Sequence, residues 1–235
     1  MLLQFFSFFL GQNQLSATEN FNFENAMRKK LKVRLGMVLL AIAAVVFVLR
    51  LRSPSGEFVP VEYNSAVAYF SNTIKTEWIR ATDPEASRQF RLLEPVEYIA
   101  SNQSIWQAQA GSIIDGASIP RAFWTIVGAP TTGPYRDASV IHDVYCDRKE
   151  RSWEETHWVF RDACRAAGLG PWQANLLYLA VFHYGPIWTD DGTLQQNTIQ
   201  IDEKTAAKMA EFCQENPDLS IDELQNLDPK IWEGL

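Results

Sequence analysis

The chain has 235 residues, of which 47% are hydrophobic and 21% are charged, and this balance excludes a largely disordered protein. Its length allows one ordinary folded domain with an additional segment. With a formal net charge of -7, the chain lacks the excess of basic residues that binding to phosphates requires, so nucleic acid is not an expected partner.

The first predicted element is an apolar helix that can cross a membrane. Residues 35–49 carry no charge, and at about 1.5 Å per residue a helix over residues 35–52 approaches the roughly 30 Å of a hydrocarbon core. Five cations lie from Arg28 to Arg34, whereas only two, Arg50 and Arg52, follow the segment. This bias predicts a cytoplasmic segment at residues 1–34, a single transmembrane anchor at residues 35–52 and an extracytoplasmic globular part. The membrane is therefore the expected partner of the anchor.

The beginning of the chain has two interpretations. Translation from Met1 adds an apolar stretch of ten residues, which is too short to cross a bilayer. Translation from Met27 places the basic stretch at the start, as in a signal anchor. A cleavage site with small residues does not follow clearly, so we expect an anchor that is not removed.

After the linker at residues 53–56, short alternating segments predict strands and later segments predict helices. Strands are expected at residues 77–81, 89–93, 96–100 and 104–108. Helices are expected from Pro134 through Tyr145, from a capping box at Ser152–Glu155 to about Ala167, from Pro171 to Gly185, and at residues 203–214. We therefore predict an α+β fold, with a small antiparallel sheet packed against a helical carboxyl-terminal half. The globular domain is expected at residues 53–200, followed by a helical tail at residues 201–235.

The three cysteines, Cys146, Cys164 and Cys213, do not predict a zinc site, because they lack the paired CxxC spacing. They are interpreted as small buried apolar residues. A bridge between Cys146 and Cys164 in an oxidising compartment is the alternative.

Residues that can carry chemistry are densest between residues 114 and 145. Asp115 and Gly116 begin this region, and His142 and Asp143 lie near its end. Adjacent residues on a helix point about 100° apart, so His142 and Asp143 cannot form a catalytic pair with each other. Each side chain must therefore face a different partner.

The region also contains ordered motifs. The runs DGASIPRAFW and YRDASVIHDVY are followed by SWEETHWVF and WQANLLYLAVFHYG. Together, over about residues 90–188, they resemble the phage-associated family called domain of unknown function 1353. The resemblance implies a shared fold, but it brings no established activity. Family members usually have an acidic residue in the helix after the His-Asp pair, where this chain has His157.

Two catalytic arrangements are consistent with these residues. In the first, His142 acts as a general base, and Asp143 turns toward a cation, such as calcium, held by carbonyls of the Asp115–Gly116 loop. This division is similar to that of secreted phospholipases A2, whose HDxCY pattern resembles residues 142–146. In the second, His142, Asp115 and His157 bind a transition metal such as zinc, with Asp143 as base or second-sphere residue.

A structural interpretation stands beside both. His142 can hydrogen-bond within the core, and Asp143 can pair with Arg121 or Arg148. Residues 115–118 can form a strand-to-helix turn in which Gly116 supplies a positive φ.

These residues lead to a functional hypothesis. We expect a metal-assisted hydrolase acting on a membrane or envelope component, with His142 and Asp143 as catalytic residues and a divalent metal, zinc or calcium, near Asp115 and His157. The candidates for substrate binding are Ser118, Arg121 and Tyr145. The alternative is a non-catalytic accessory module that binds an envelope or virion partner.

Overall fold

The computed structural model describes residues 58–79, 89–117, 119–128, 133, 135–195 and 201–233. Residues 58–235 form one compact unit. The predicted cytoplasmic segment and the transmembrane anchor at residues 35–52 lie outside the described residues. Within the ranges that are described, no helix combines the length and the apolar character needed to cross a bilayer.

The strands of the described residues form two three-stranded antiparallel sheets and one hairpin. The first sheet has the order β1 (Tyr69–Phe70), β4 (Val96–Ile99), β5 (Ile105–Ala108), and the second has β2 (Thr76–Ile79), β3 (Gln89–Leu92), β6 (Ile113–Ile114). The hairpin joins β7 (Ile187–Trp188) to β8 (Leu194–Gln195). The fold is α+β, as predicted, but the expected single sheet is divided in two. Alternating hydrophobic and polar residues predict a strand but not the strand it pairs with, because pairing depends on residues distant in sequence.

The helices that carry the site follow the predicted order. A short 3₁₀ turn (Arg121–Phe123) continues into α1 (Trp124–Val127), and the longer helices are α2 (Arg136–Arg148), α3 (Trp153–Ala166) and α4 (Pro171–Tyr184). They are followed by α5 (Glu203–Glu215), α6 (Ile221–Gln225) and α7 (Lys230–Glu233). The four long helices lie where the sequence predicts them, within about three residues at each end.

The start of α3 contains half of the predicted capping box. Ser152 Oγ accepts a hydrogen bond from the Glu155 amide at 3.2 Å, as expected. The Glu155 carboxylate instead accepts from Arg151 Nη1 at 2.6 Å. The prediction of a reciprocal box was therefore wrong in its second bond, because a nearby cation competes with the backbone amide.

The core lies between the sheets and the helices, with α4 at its centre. Residues 174–181 of α4 are all buried, which agrees with the apolar sequence on every side of this helix. On one side α4 packs against α3, and on the other it packs against α5. Helix α2 packs against α3 and also against β5 and β6. Because neighbours surround α2 in this way, every residue from Ala138 to Tyr145 is buried.

A buried carboxylate connects α3 to the first sheet. Asp162 Oδ2 accepts from the Tyr98 hydroxyl at 2.6 Å and from the Ser101 amide at 2.9 Å. Its Oδ1 accepts from Ser101 Oγ at 2.6 Å. These bonds offset the cost of burying the carboxylate, and they hold α3 in place relative to the end of β4.

Candidate functional site

His142 lies in the packed interface between α2 and α3. Its side chain has no exposed surface, and its Nε2 lies 2.9 Å from His157 Nδ1. The other ring nitrogen of His157, Nε2, lies 3.0 Å from the Pro186 carbonyl oxygen, which can only accept a hydrogen bond. The His157 proton is therefore on Nε2, and its Nδ1 presents a lone pair to His142.

Cys146 is the third member of this cluster. It lies one helical turn after His142 on α2, and its Sγ is 3.6 Å from His142 Nε2 and 3.8 Å from His142 Nδ1. The candidate ligand atoms of His142, Cys146 and His157 all lie within 4.8 Å of one another. The sequence predicted His142 and His157 together with Asp115; in the structure, Cys146 is the third side chain of the group.

Cys146 and Cys164 do not form a disulfide, so the alternative interpretation of these cysteines is wrong. All three are free thiols, with Cys164 and Cys213 buried and Cys146 partly exposed. Cys146 therefore differs from the other two, because it combines access to solvent with a histidine neighbour.

Asp143 points away from His142, as the helix geometry requires, and contacts the turn that follows β6. Its Oδ2 accepts from the Gly116 amide at 2.8 Å. Gly116 has a φ of 100°, which confirms the predicted left-handed residue at this position. The turn offers Asp143 an amide N–H, whereas the calcium arrangement relied on carbonyl oxygens of the same loop.

The electrostatic surroundings favour the neutral forms of these groups. Burial, together with the nearby Asp115 carboxylate, raises the pKa of Asp143 well above its usual range, although the amides of Gly116 and Asp115 oppose this shift. Burial lowers the pKa of His157 to about 3, and burial followed by the neighbouring His157 lowers the pKa of His142. Burial likewise raises the pKa of the Cys146 thiol. Without a bound cation, the cluster therefore contains neutral imidazoles and a thiol.

A surface pocket of about 510 Å³ opens beside the cluster. Its lining includes Asp115, Asp143 and Cys146, and Pro186, whose carbonyl binds His157, also contributes. Asp143 is buried apart from 9% of its surface, whereas Asp115 is exposed. With Asp147, which also lines it, the pocket thus brings three carboxylates and one thiol to the same solvent-accessible space.

The predicted substrate-binding residues lie in different places. Ser118 is outside the described residues. Arg121 is exposed, and its guanidinium lies 5.2 Å from the centre of the Trp124 ring. Tyr145 is buried against Trp106, and its hydroxyl accepts from the Gln107 amide at 3.1 Å. Neither Arg121 nor Tyr145 is among the residues that line the pocket beside Asp143.

Two contributors to the cluster, Cys146 and the Pro186 carbonyl, are not among the residues predicted from the sequence. The spacing of His142 and Cys146 is a signal that was present in the sequence, because residues four apart share one face of a helix. The Pro186 carbonyl had no such signal, since it reaches His157 only through the fold of the segment after α4.

The part of the chain that contains this site is similar to a known family. Residues 90–181 match the family described as "Protein of unknown function (DUF1353)". Over 107 residues, 46% of this chain, it is 41% identical to "Uncharacterized protein y4jT" of Sinorhizobium fredii, and these residues cover 32% of that protein. Over 91 residues, 39% of this chain, it is 46% identical to "Uncharacterized protein y4iH" of the same organism, with 38% of that protein covered.

The chain therefore spans less than two fifths of the length of these curated relatives. No solved structure matches it significantly. The segment at residues 90–181, which carries Asp115, His142, Cys146 and His157, thus resembles the family of unknown function DUF1353.

Proposed function

We propose that the protein is a metal-assisted hydrolase whose active site is the pocket beside Asp143. One observation carries this proposal: Asp143 and Cys146 line the same open pocket, and Cys146 contacts His142, which in turn contacts His157. Nitrogen and sulfur donors for a metal are thereby placed next to a carboxylate that can orient water. This combination is what metal-assisted hydrolysis requires of a protein.

A metal held by His142, Cys146 and His157 would activate water or polarise the bond that is cleaved. A cation bound nearby would favour the ionised form of Asp143. The carboxylate would then orient the attacking water and accept one of its protons as the water oxygen bonds to the acyl or phosphoryl centre. The bond to the leaving group then breaks, and the proton passes to the leaving group. His142 has no exposed surface, so it serves the metal and does not contact the water directly.

The proposed substrate is a component of a membrane or cell envelope. This part of the proposal rests on the predicted anchor at residues 35–52, which would hold residues 53–235 at the extracytoplasmic face. The resemblance to a phage-associated family is consistent with a prophage-derived protein that acts on the envelope of its host.

A second candidate function is a non-catalytic accessory module that binds an envelope or virion partner. It is favoured by the full burial of His142 and His157 and by the hydrogen bond that occupies one oxygen of Asp143. In such a module, these polar groups serve only to connect α2, α3 and the turn after β6 through hydrogen bonds.

The test is hydrolysis by the full-length chain, purified in detergent, of phospholipid vesicles and of isolated peptidoglycan. Activity should require a divalent metal and should fall at least about 100-fold in Asp143→Asn, since the amide cannot accept a proton from water. Asp190→Asn is the matched control, because Asp190 is exposed and does not line this pocket. Equal activity in Asp143→Asn and the wild type would refute the catalytic assignment. Absence of hydrolysis of both substrates by the metal-loaded protein would favour the accessory module.

A further inference from the structure

We infer that the metal is zinc and that His142 Nε2, Cys146 Sγ and His157 Nδ1 bind it. This inference deepens the proposed function. The catalytic use of the zinc rests on that function. The binding of zinc by these three side chains is a separate claim that can be tested alone.

The donor atoms select the kind of metal. Two imidazole nitrogens and one thiolate sulfur suit zinc, whereas calcium and magnesium prefer oxygen ligands. The calcium arrangement considered from the sequence therefore does not match this cluster.

The three donor atoms lie within 4.8 Å of one another, and one of their separations is that of a tetrahedral zinc site. Bonds of about 2.1 Å to nitrogen and 2.3 Å to sulfur place a nitrogen and a sulfur ligand about 3.6 Å apart and two nitrogens about 3.4 Å apart. Cys146 Sγ lies 3.6 Å from His142 Nε2, which equals the expected separation. His142 Nε2 and His157 Nδ1 lie 2.9 Å apart, the distance of a hydrogen bond. These two rings need to separate by about half an ångström, a small side-chain rotation, to admit the metal.

The surrounding structure orients His157 as a ligand. A metal-binding histidine usually donates its second ring N–H to a carbonyl or carboxylate, which fixes both the tautomer and the ring. His157 Nε2 makes this contact with the Pro186 carbonyl at 3.0 Å, and Nδ1 points into the cluster. The arrangement needed for binding through Nδ1 is therefore already present.

Helix α2 also positions its two proposed ligands for binding a metal. His142 and Cys146 are four residues apart and lie on one helical face. Helix α3 brings His157 to that face, and the aromatic rings of Phe160 and Trp153 pack against the two imidazoles. Rigid helices and packed rings hold the donors in position, as a metal site requires.

The composition of the chain makes the assignment specific. The whole sequence contains three histidines and three cysteines. Two of the histidines and the one partly exposed cysteine meet at this cluster. Among the described residues, this cluster therefore offers a zinc ion the most nitrogen and sulfur ligands.

Three protein ligands also leave one coordination position for water or substrate, as in catalytic zinc sites. Of the three, Cys146 is the one that lines the pocket with Asp143. Zinc bound beside its sulfur would thus lie close to the carboxylate that the proposed function uses.

The test measures metal binding by the full-length chain, purified without a histidine tag and treated with a chelator. Zinc alone should bind with a stoichiometry of one per chain, and millimolar calcium or magnesium should not displace it. Cobalt, used as a spectroscopic substitute, should give a thiolate-to-cobalt charge-transfer band. In Cys146→Ser the band should disappear and zinc affinity should fall at least about 100-fold. Cys146 is partly exposed, so this variant should retain the circular dichroism spectrum of the wild type.

Cys213→Ala is the matched control, because Cys213 lies on α5, outside the ligand cluster, and its loss should leave the band and the affinity unchanged. The inference is overturned if the wild type binds no zinc, or if folded Cys146→Ser keeps the band and full affinity. Stoichiometric, Cys146-dependent zinc binding without hydrolysis would support the zinc site and reject the proposed function. Hydrolysis that survives complete removal of metal, in a chain that does not bind zinc, would reject the zinc site and the metal-assisted mechanism while leaving a hydrolase.

Discussion

His142 Nε2 lies 2.9 Å from His157 Nδ1, and this contact joins α2 to α3 within the core. Because the Pro186 carbonyl holds the His157 proton on Nε2, His142 must donate from its own Nε2 in the metal-free protein. The pair therefore contributes to folding as well as to the proposed metal site. The two roles can be separated by measuring stability in the absence of metal.

Replacing His157 should destabilise the metal-free protein. His157→Ala removes a fully buried ring and leaves the His142 N–H and the Pro186 carbonyl without their partner, so we expect a loss of about 2–4 kcal/mol in the free energy of unfolding. Urea denaturation followed by circular dichroism measures it, with the exposed Glu150→Ala as control. A loss below about 1 kcal/mol would contradict a structural role for the pair.

Asp143→Asn and Asp143→Ala should differ in stability. Asn keeps an oxygen that accepts from the Gly116 amide and removes the repulsion between Asp143 and Asp115, so its stability should equal or exceed that of the wild type at neutral pH. Ala leaves the Gly116 amide without its acceptor and should cost about 1–3 kcal/mol. Thermal unfolding of both variants measures the difference. Equal destabilisation by Asn and Ala would show that the hydrogen bond to Gly116 does not stabilise the turn.

Gly116→Ala should destabilise the protein more than Gly111→Ala does. Both glycines have a positive φ, 100° for Gly116 and 87° for Gly111, so both substitutions should cost about 1 kcal/mol in backbone strain. A Cβ at Gly111 meets no atom within 4 Å, whereas a shift at Gly116 also weakens its bond to Asp143. We expect roughly 1 kcal/mol of additional loss at Gly116, measured by urea denaturation. Equal losses in the two variants would argue against this coupling.

The buried carboxylate of Asp162 should be among the most sensitive positions of the fold. Asp162→Ala leaves the Tyr98 hydroxyl and two donors of Ser101 without their acceptor, and we expect a loss of about 3–5 kcal/mol. Tyr98→Phe removes one of these bonds and should cost about 1 kcal/mol. A double-mutant cycle between the two positions gives their coupling. Additive effects would show that the Tyr98 hydroxyl does not depend on Asp162.

Stability should decrease as the solution becomes acidic, and His183 should account for part of this decrease. Burial lowers the pKa of His183 to about 4, against about 6.5 in the unfolded chain, and the nearby Asp228 opposes the shift. The unfolded state therefore binds the proton first, and stability falls as the pH drops from about 6.5 toward about 4.

The loss from His183 should reach at most about 2 kcal/mol at pH 5, since one pKa unit corresponds to about 1.4 kcal/mol. Urea denaturation at pH 7, 6 and 5 should show a shallower decrease in His183→Gln than in the wild type. Parallel profiles for the two proteins would mean that His183 does not contribute to the pH dependence.

The sequence alone determined the local elements of this protein. Helices α2 to α5 and the four longer strands follow from hydrophobic periodicity, from proline and glycine punctuation and from the Ser152 cap, all of which act over a few residues. The different directions of His142 and Asp143 and the positive φ of Gly116 follow from equally local geometry.

Only the tertiary structure decided which residues meet. His157 reaches the face of α2 that carries His142 and Cys146 because α2 and α3 pack together, and the Pro186 carbonyl reaches His157 from the segment after α4. The division of the strands into two sheets and the turn that binds Asp143 depend on packing in the same way. The free energy of such contacts comes from surfaces distant in sequence, so local patterns predicted the candidate residues but not the cluster they form.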